Sequence, residues 1–150
     1  FRPDTPLTRA MLCRIFYNMA ACPDVSGDSP FTDVTEDKWY YSAVVWAAGE
    51  KLVVGYGDGS CGPDDVLTLE QLAMILYRYE QSCVGGFDGD WEYEPGFTDA
   101  DRTYAGAREA VQWCVTNRVI NGWGDGTLRP GDLVTRAQTA QVLKNYFTLK

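Results

Sequence analysis

The sequence predicts an all-α fold assembled from tandem copies of one helical unit, and three observations carry that prediction. Gly55-Tyr56-Gly57-Asp58-Gly59-Ser60-Cys61-Gly62-Pro63 returns as Gly122-Trp123-Gly124-Asp125-Gly126-Thr127-Leu128-Arg129-Pro130, an offset of 67 residues. The start of the chain, Phe1-Arg2-Pro3 followed by Leu7-Thr8-Arg9-Ala10, matches Cys61-Gly62-Pro63 and Leu67-Thr68-Leu69-Glu70 at an offset of 60. Self-similarity at a period of tens of residues marks stacked supersecondary units. The third observation is negative: no stretch alternates apolar and polar residues with period two, so sheet content should be small or absent.

The elements follow in order. Residues 1–26 are the second half of a first copy, 27–86 a second copy and 92–150 a third, together one domain. In the first, Thr8 is a helix N-cap, and Leu12, Ile15, Phe16 and Met19 fall on one helical face. Pro23 to Pro30 reads as a loop. The second copy opens with Phe31-Thr32-Asp33-Val34, and a helix is predicted over Trp39 to Lys51 that buries Trp39, Ala43, Trp46 and Ala47. The glycine loop follows, then a helix from about Leu69 to Glu80. Thr68 with Gln71, and Thr135 with Gln138, form capping boxes that satisfy amide donors from both sides. The first copy has Met11 at that position, so only half of the cap is possible. An acidic, aromatic linker (Gly85 to Gly96) leads to Phe97-Thr98-Asp99, a helix from about Tyr104 to Asn117, the second glycine loop, and a helix from about Arg136 to Phe147.

Composition narrows the function. The net charge of −8 disfavours nucleic acid and anionic membranes, whose binding depends on clustered Lys and Arg. The complete lack of histidine removes Ser-His-Asp and Cys-His nucleophiles and every His-based metal site. No apolar run approaches the roughly 18–20 residues of a membrane span. The chain opens in mid-repeat, so upstream sequence is expected. No motif selects a catalytic carboxylate pair, and neither catalysis nor a cofactor is expected. Asp88, Asp90 and Glu92 lack the glycine and distal glutamate of a calcium loop, so a solvated acidic segment is the simpler reading.

The pattern F-x-D-V, W-Y-Y-x-A-V, G-Y-G-D-G-S, P, L-T-x-E/Q resembles the S-layer homology (SLH) repeat. Its T-R-A-E element is represented by Thr8-Arg9-Ala10, Thr68-Leu69-Glu70 and Thr135-Arg136-Ala137-Gln138. The resemblance implies a pseudo-threefold, three-pronged helical spindle whose first prong is incomplete here. It also implies an extracellular location on the bacterial cell wall, and non-covalent anchoring of an exported protein. The ligand it implies is a secondary cell wall polysaccharide with ketal-linked pyruvate, or peptidoglycan, bound in grooves between repeats. Two other classes are open: a protein–protein interaction module derived from the repeat, and an accessory domain of a wall-active enzyme. The incomplete prong is expected to expose apolar surface around the first helix and to favour a homodimer.

The candidate ligand residues are Arg9, Arg136, Tyr56, Trp123, Gly57, Gly124 and Gln138. Arg9 and Arg136 sit in a first helical turn, where a cation opposes the helix dipole at a cost of roughly 0.3–1 kcal/mol. A helix N-terminus with free amides beside an Arg suits a carboxylate such as pyruvate; pairing with an Asp of a neighbouring copy is the alternative. Leu69 occupies the same slot in the middle copy and cannot hold a carboxylate, so that groove should be weakened or dead. Tyr56 and Trp123 could stack on a sugar or pack between prongs. The glycine loops follow helices rather than strands, unlike a phosphate cradle, and their Gly57 and Gly124 amides could face a ligand. Gln138 keeps the capping role. Asp33, Asp58, Asp99 and Asp125 read as turn and cap acceptors. Cys13, Cys61 and Cys114 fall at small or apolar repeat positions, as buried thiols do, and only Cys22 and Cys83 lie in linkers.

Overall fold

A computed structural model describes residues 2–86 and 96–149. Among the described residues five α-helices carry the fold: α1 (Arg9–Met19), α2 (Tyr41–Gly49), α3 (Leu69–Tyr79), α4 (Arg108–Thr116) and α5 (Arg136–Thr148). The described residues contain no strand, only isolated bridges such as Thr68 to Leu133. The acidic linker residues Asp88, Asp90 and Glu92 lie outside the described residues.

The three threonine caps start α1, α3 and α5 as the sequence predicts. Thr135 Oγ1 accepts from the Gln138 amide at 3.2 Å while the Thr135 amide donates to Gln138 Oε1 at 2.8 Å. Thr68 and Gln71 repeat this at 3.4 and 3.0 Å. Thr8 has only the half-cap, from the Met11 amide at 3.3 Å. The helices α2 and α4 end alike. The Leu52 amide donates to the Ala47 carbonyl and the Val119 amide to the Cys114 carbonyl, both at 2.8 Å. That closure forces the preceding residue into the left-handed region, yet Lys51 (φ 59°) and Arg118 (φ 57°) stand where glycine would be unstrained.

α2 starts later than predicted. Tyr40 and not Trp39 turns inward: Tyr40 is buried, whereas Trp39 is 58% exposed. Trp39 lies before the first helical residue, outside the spacing that faces the core. In the third copy two 3₁₀ turns, Ala100–Arg102 and Ala105–Ala107, precede α4, so the predicted helix from Tyr104 becomes regular only at Arg108.

Two compact units divide the chain. One comprises Phe1–Leu7, Leu67–Tyr77 and Phe87–Lys150. It contains a closed ring of backbone hydrogen bonds: Leu7 donates to Val134, Val134 to Leu67, and Leu67 to Leu7, each at 2.9 Å. These three residues are repeat equivalents and all are buried. The ring gives three copies of one sequence unit a common backbone junction. Its core includes Leu72, Leu76, Val111, Trp113 and Tyr146, with Tyr77 meeting Trp113 edge-on at 5.9 Å. The other unit comprises Thr8–Val66 and Arg78–Gly86. Its core joins α1 to α2 through Leu12, Phe16, Val44 and Leu52, and Tyr17 lies against Trp46 at 5.7 Å. Each such side chain contributes about 1.5–3 kcal/mol by burial.

The pairs Tyr17–Trp46 and Tyr77–Trp113 are repeat equivalents. They show the first helix of one copy packing on the capped helix of the copy before it. Lys144 of α5 occupies the position of Tyr17 and Tyr77, and the surface there is shallow and open, lined by Ala140, Leu143 and Phe147. Phe147 is 54% exposed. In the other unit α2 packs on α1.

Candidate functional site

Each glycine loop is a short hairpin clamped by the aspartate of its own copy. Tyr56 donates its amide to Ser60 at 3.0 Å, and Trp123 donates to Thr127 at 2.8 Å. Asp58 Oδ1 accepts from the Ser60 amide and hydroxyl, and Asp125 Oδ1 does the same for Thr127. The two oxygens of Asp33 accept the amides of Cys61 and Gly62 at 2.8 Å each. Those of Asp99 accept Leu128 and Arg129 at 2.8 and 2.9 Å. All four aspartates thus act as turn acceptors. Gly122 is required where it stands, with φ 67° and the Phe97 ring in the space a Cβ would fill. Nothing lies within 4 Å of a Cβ built on Gly57 or Gly124, which leaves both loop tips open to solvent.

The loops dock on helix N-termini in a shifted order. Asp65 and Pro63 carbonyls accept the Arg9 and Ala10 amides at 2.9 Å each, so the second copy's loop caps α1. Asp132 and Pro130 cap α3 at Leu69 and Glu70, both at 3.0 Å, and Thr5 and Pro3 cap α5 at Arg136 and Ala137, also at 3.0 Å. The amides expected to be free for an anion are therefore taken. The reason is general: orphan first-turn donors must find acceptors, and here a neighbouring loop supplies them. Any anion at these positions must be held by side chains.

The shift also decides which side chains meet. Arg9 is 9% exposed and donates from Nη2 to the Val54 carbonyl at 2.9 Å. Its guanidinium lies 5.1 Å from the centroid of the Tyr56 ring. Tyr56 in turn donates to Asp65 Oδ2 at 2.6 Å, and its hydroxyl is pushed up by desolvation and by that carboxylate. Burial raises the Cys61 thiol, while the charge of Arg9 and a hydrogen bond from its side chain pull the other way. The buried Arg9 Nε has no hydrogen-bond partner, and the ion pairs found among the described residues, Lys38–Asp37 and Arg129–Asp125, do not include Arg9. Pairing with an aspartate, the alternative reading of this residue, is not what the structure contains.

Arg136, although in the same copy as Trp123, does not line the groove beside that ring. Trp123 lines a groove of about 260 Å³ with Leu69 of α3, and Gln138 lies in the same wall. The cation beside Trp123 is Arg129, 4.5 Å from the ring centroid and bound to Asp125 Oδ2 at 2.6 Å. Arg129 was not singled out from sequence, though its repeat equivalent Gly62 flags it: both are left-handed, at φ 57° and 66°. Arg136 is half-buried, with its amide on the Thr5 carbonyl. Cys13, Cys61 and Cys114 are buried, and Cys22 and Cys83 are exposed; all five are free thiols. Burial pushes Cys13 up to about 12. No group of three or more potential metal ligands occurs among the described residues, and no helix in them is long and apolar enough to cross a membrane.

Comparison with known proteins returns one family. The S-layer homology domain matches at residues 30–73 and 96–140. Cell surface glycoprotein 1 of Acetivibrio thermocellus is 24% identical over 95% of this chain and 6% of its own length. The cellulosome-anchoring protein of the same organism is 23% identical over 95% of this chain and 32% of its own. The surface-layer 125 kDa protein of Lysinibacillus sphaericus is 30% identical over 95% of this chain and 12% of its own. The chain thus spans a third or less of the length of these relatives.

Proposed function

Since the chain belongs to the S-layer homology family, we propose that it holds an exported protein non-covalently to the bacterial cell wall by binding a wall polysaccharide that carries ketal-linked pyruvate. Its location is extracellular and cell-wall-associated, as for the surface-layer and anchoring relatives. The observation that carries the ligand class is Arg9: a buried guanidinium with a partnerless Nε and no carboxylate counterpart. Burying a cation costs several kcal/mol unless it is paired, and a ligand carboxylate at the outer edge of the guanidinium would offset that cost through charge-assisted hydrogen bonds, leaving the enclosed Nε untouched. Tyr56, more than half exposed beside the guanidinium, offers a ring face to the sugar that bears it. Arg136, with the Gly57 and Gly124 loop tips, remains a further candidate contact.

Co-sedimentation with purified wall sacculi tests this reading. Binding should be lost when hydrofluoric acid strips the secondary polysaccharide, and Arg9→Ala should weaken it about tenfold or more. Retention on stripped sacculi would move the ligand to peptidoglycan. Failure on both, with capture of a protein partner, would favour the interaction-module reading. Self-association through the exposed Phe147 of α5 is a further part of this proposal. Sedimentation velocity should show a dimer that Phe147→Glu abolishes; a dimer indifferent to that change would rule this face out.

A further inference from the structure

The groove beside Trp123 has no ligand assigned by the Arg9 argument, because Leu69 stands in the arginine's place. Its polar groups nevertheless have fixed directions. Asn121 donates Nδ2 to the Arg118 carbonyl at 3.1 Å, so its Oδ1 faces away from that bond without a protein partner. Asn145 donates Nδ2 to the Val119 carbonyl at 3.1 Å, which fixes its Oδ1 as an acceptor. Gln141 must then give Nε2 to that oxygen, at 2.8 Å, and its own Oε1 is left over. Gln138 accepts the Thr135 amide on Oε1, leaving Nε2 as a spare donor. A backbone carbonyl or amide sets every one of these orientations, directly or through one neighbour, so amide flips cannot reverse them. All four residues line the groove.

The groove therefore offers two acceptor oxygens, unused amide hydrogens on Gln138, Gln141 and the two asparagines, and the partly exposed Trp123 ring together with Leu69 and Leu133. Its cation, Arg129, is already committed to Asp125 at 2.6 Å and to the Trp123 face, and Asp132 adds a negative charge to the wall. A carboxylate would face Asp132 with no free cation to offset it. A hydroxyl-bearing ring needs both donors and acceptors and can lay its apolar face on the indole.

We propose that the Trp123 groove binds an uncharged, hydroxyl-bearing sugar residue, donating to Asn121 Oδ1 and Gln141 Oε1 and accepting from Gln138 Nε2. The proposal rests on the wall-glycan reading above and gives the repeat two chemically different sites for one polymer. Its size fits one ring: the groove of about 260 Å³ accommodates a single hexose-sized unit.

The test uses wall polysaccharide in two forms, native and freed of ketal pyruvate by mild acid, titrated calorimetrically into the wild-type protein, Trp123→Ala and Gln141→Leu. The stripped polymer should bind the wild type. Trp123→Ala should weaken that binding about tenfold or more, and Gln141→Leu should weaken it by a smaller factor, while the native polymer loses less because its carboxylate retains Arg9. Thermal midpoints close to wild type would confirm that both variants fold. Binding of the native polymer with none of the stripped form, or stripped-form binding indifferent to Trp123→Ala, would overturn this inference and leave the anchor intact. Absence of binding to either polymer would remove both.

Discussion

The loops at residues 55–65 and 122–132 have the same hairpin, the same aspartate clamp and the same docking on a helix start, but Tyr56 lies beside a guanidinium and Trp123 beside a leucine. In the first, the cation is buried and short of a partner. In the second, the cation belongs to the loop itself and is matched by Asp125. The comparison teaches that the repeat fixes a frame while two positions, the residue after the helix cap and the residue before the loop proline, set its chemistry. The first position changes from Arg9 to Leu69, and the second from Gly62 to Arg129.

The comparison can be broken most severely at the shared frame. Asp33→Ala or Asp99→Ala leaves two loop amides without their carboxylate, and each should cost about 3 kcal/mol of stability, measured by urea unfolding. Both loops depend on the clamp equally, so the two losses should agree. A smaller effect is expected from moving the chemistry without the frame. Leu69→Arg should give the Trp123 groove an affinity for pyruvylated polymer that the stripped form lacks, about tenfold by calorimetry.

That shared frame was largely legible in the sequence. Threonine caps, glycine loops and acceptor aspartates are local devices, and a 67-residue offset exposes them directly. The partnering of the grooves was not. Nothing in one copy says that its loop caps the helix of the copy before, so the sequence alone does not show that Leu69 shares the groove with Trp123. The free amides failed for the same reason, since the carbonyls of Pro63 and Asp65 that occupy them lie more than fifty residues away in sequence. Trp39 is exposed against expectation because the helix starts two residues later, at Tyr41, and Tyr40 takes the buried place.

Acid sharpens the contrast between the loops. Hydrogen bonds from the Thr127 side chain and amide, then Arg129, lower Asp125 to about 2. Ser60 lowers Asp58 without an arginine to help. A depressed carboxylate stabilises the fold above its unfolded value near 4 and loses that contribution as pH falls through its folded value. The Asp125 turn should thus persist to lower pH than the Asp58 turn, as carboxyl-carbon NMR titration of Asp58 and Asp125 would report. The smallest effect concerns the helix ends that lead into the loops. Lys51→Gly and Arg118→Gly relieve left-handed strain and should each raise stability by about 1 kcal/mol in thermal unfolding, equally on both sides.

The measurement that tests the account most directly is the ratio of affinities for native and pyruvate-free polymer, taken by calorimetry in the wild-type protein and in Arg9→Leu, which places the middle copy's residue in the first. The account predicts a wild-type preference for the native form of about tenfold or more, falling to near unity in Arg9→Leu while the stripped form still binds at Trp123. A preference that survives the substitution would contradict it, since the carboxylate would then be held by something other than the buried guanidinium of Arg9.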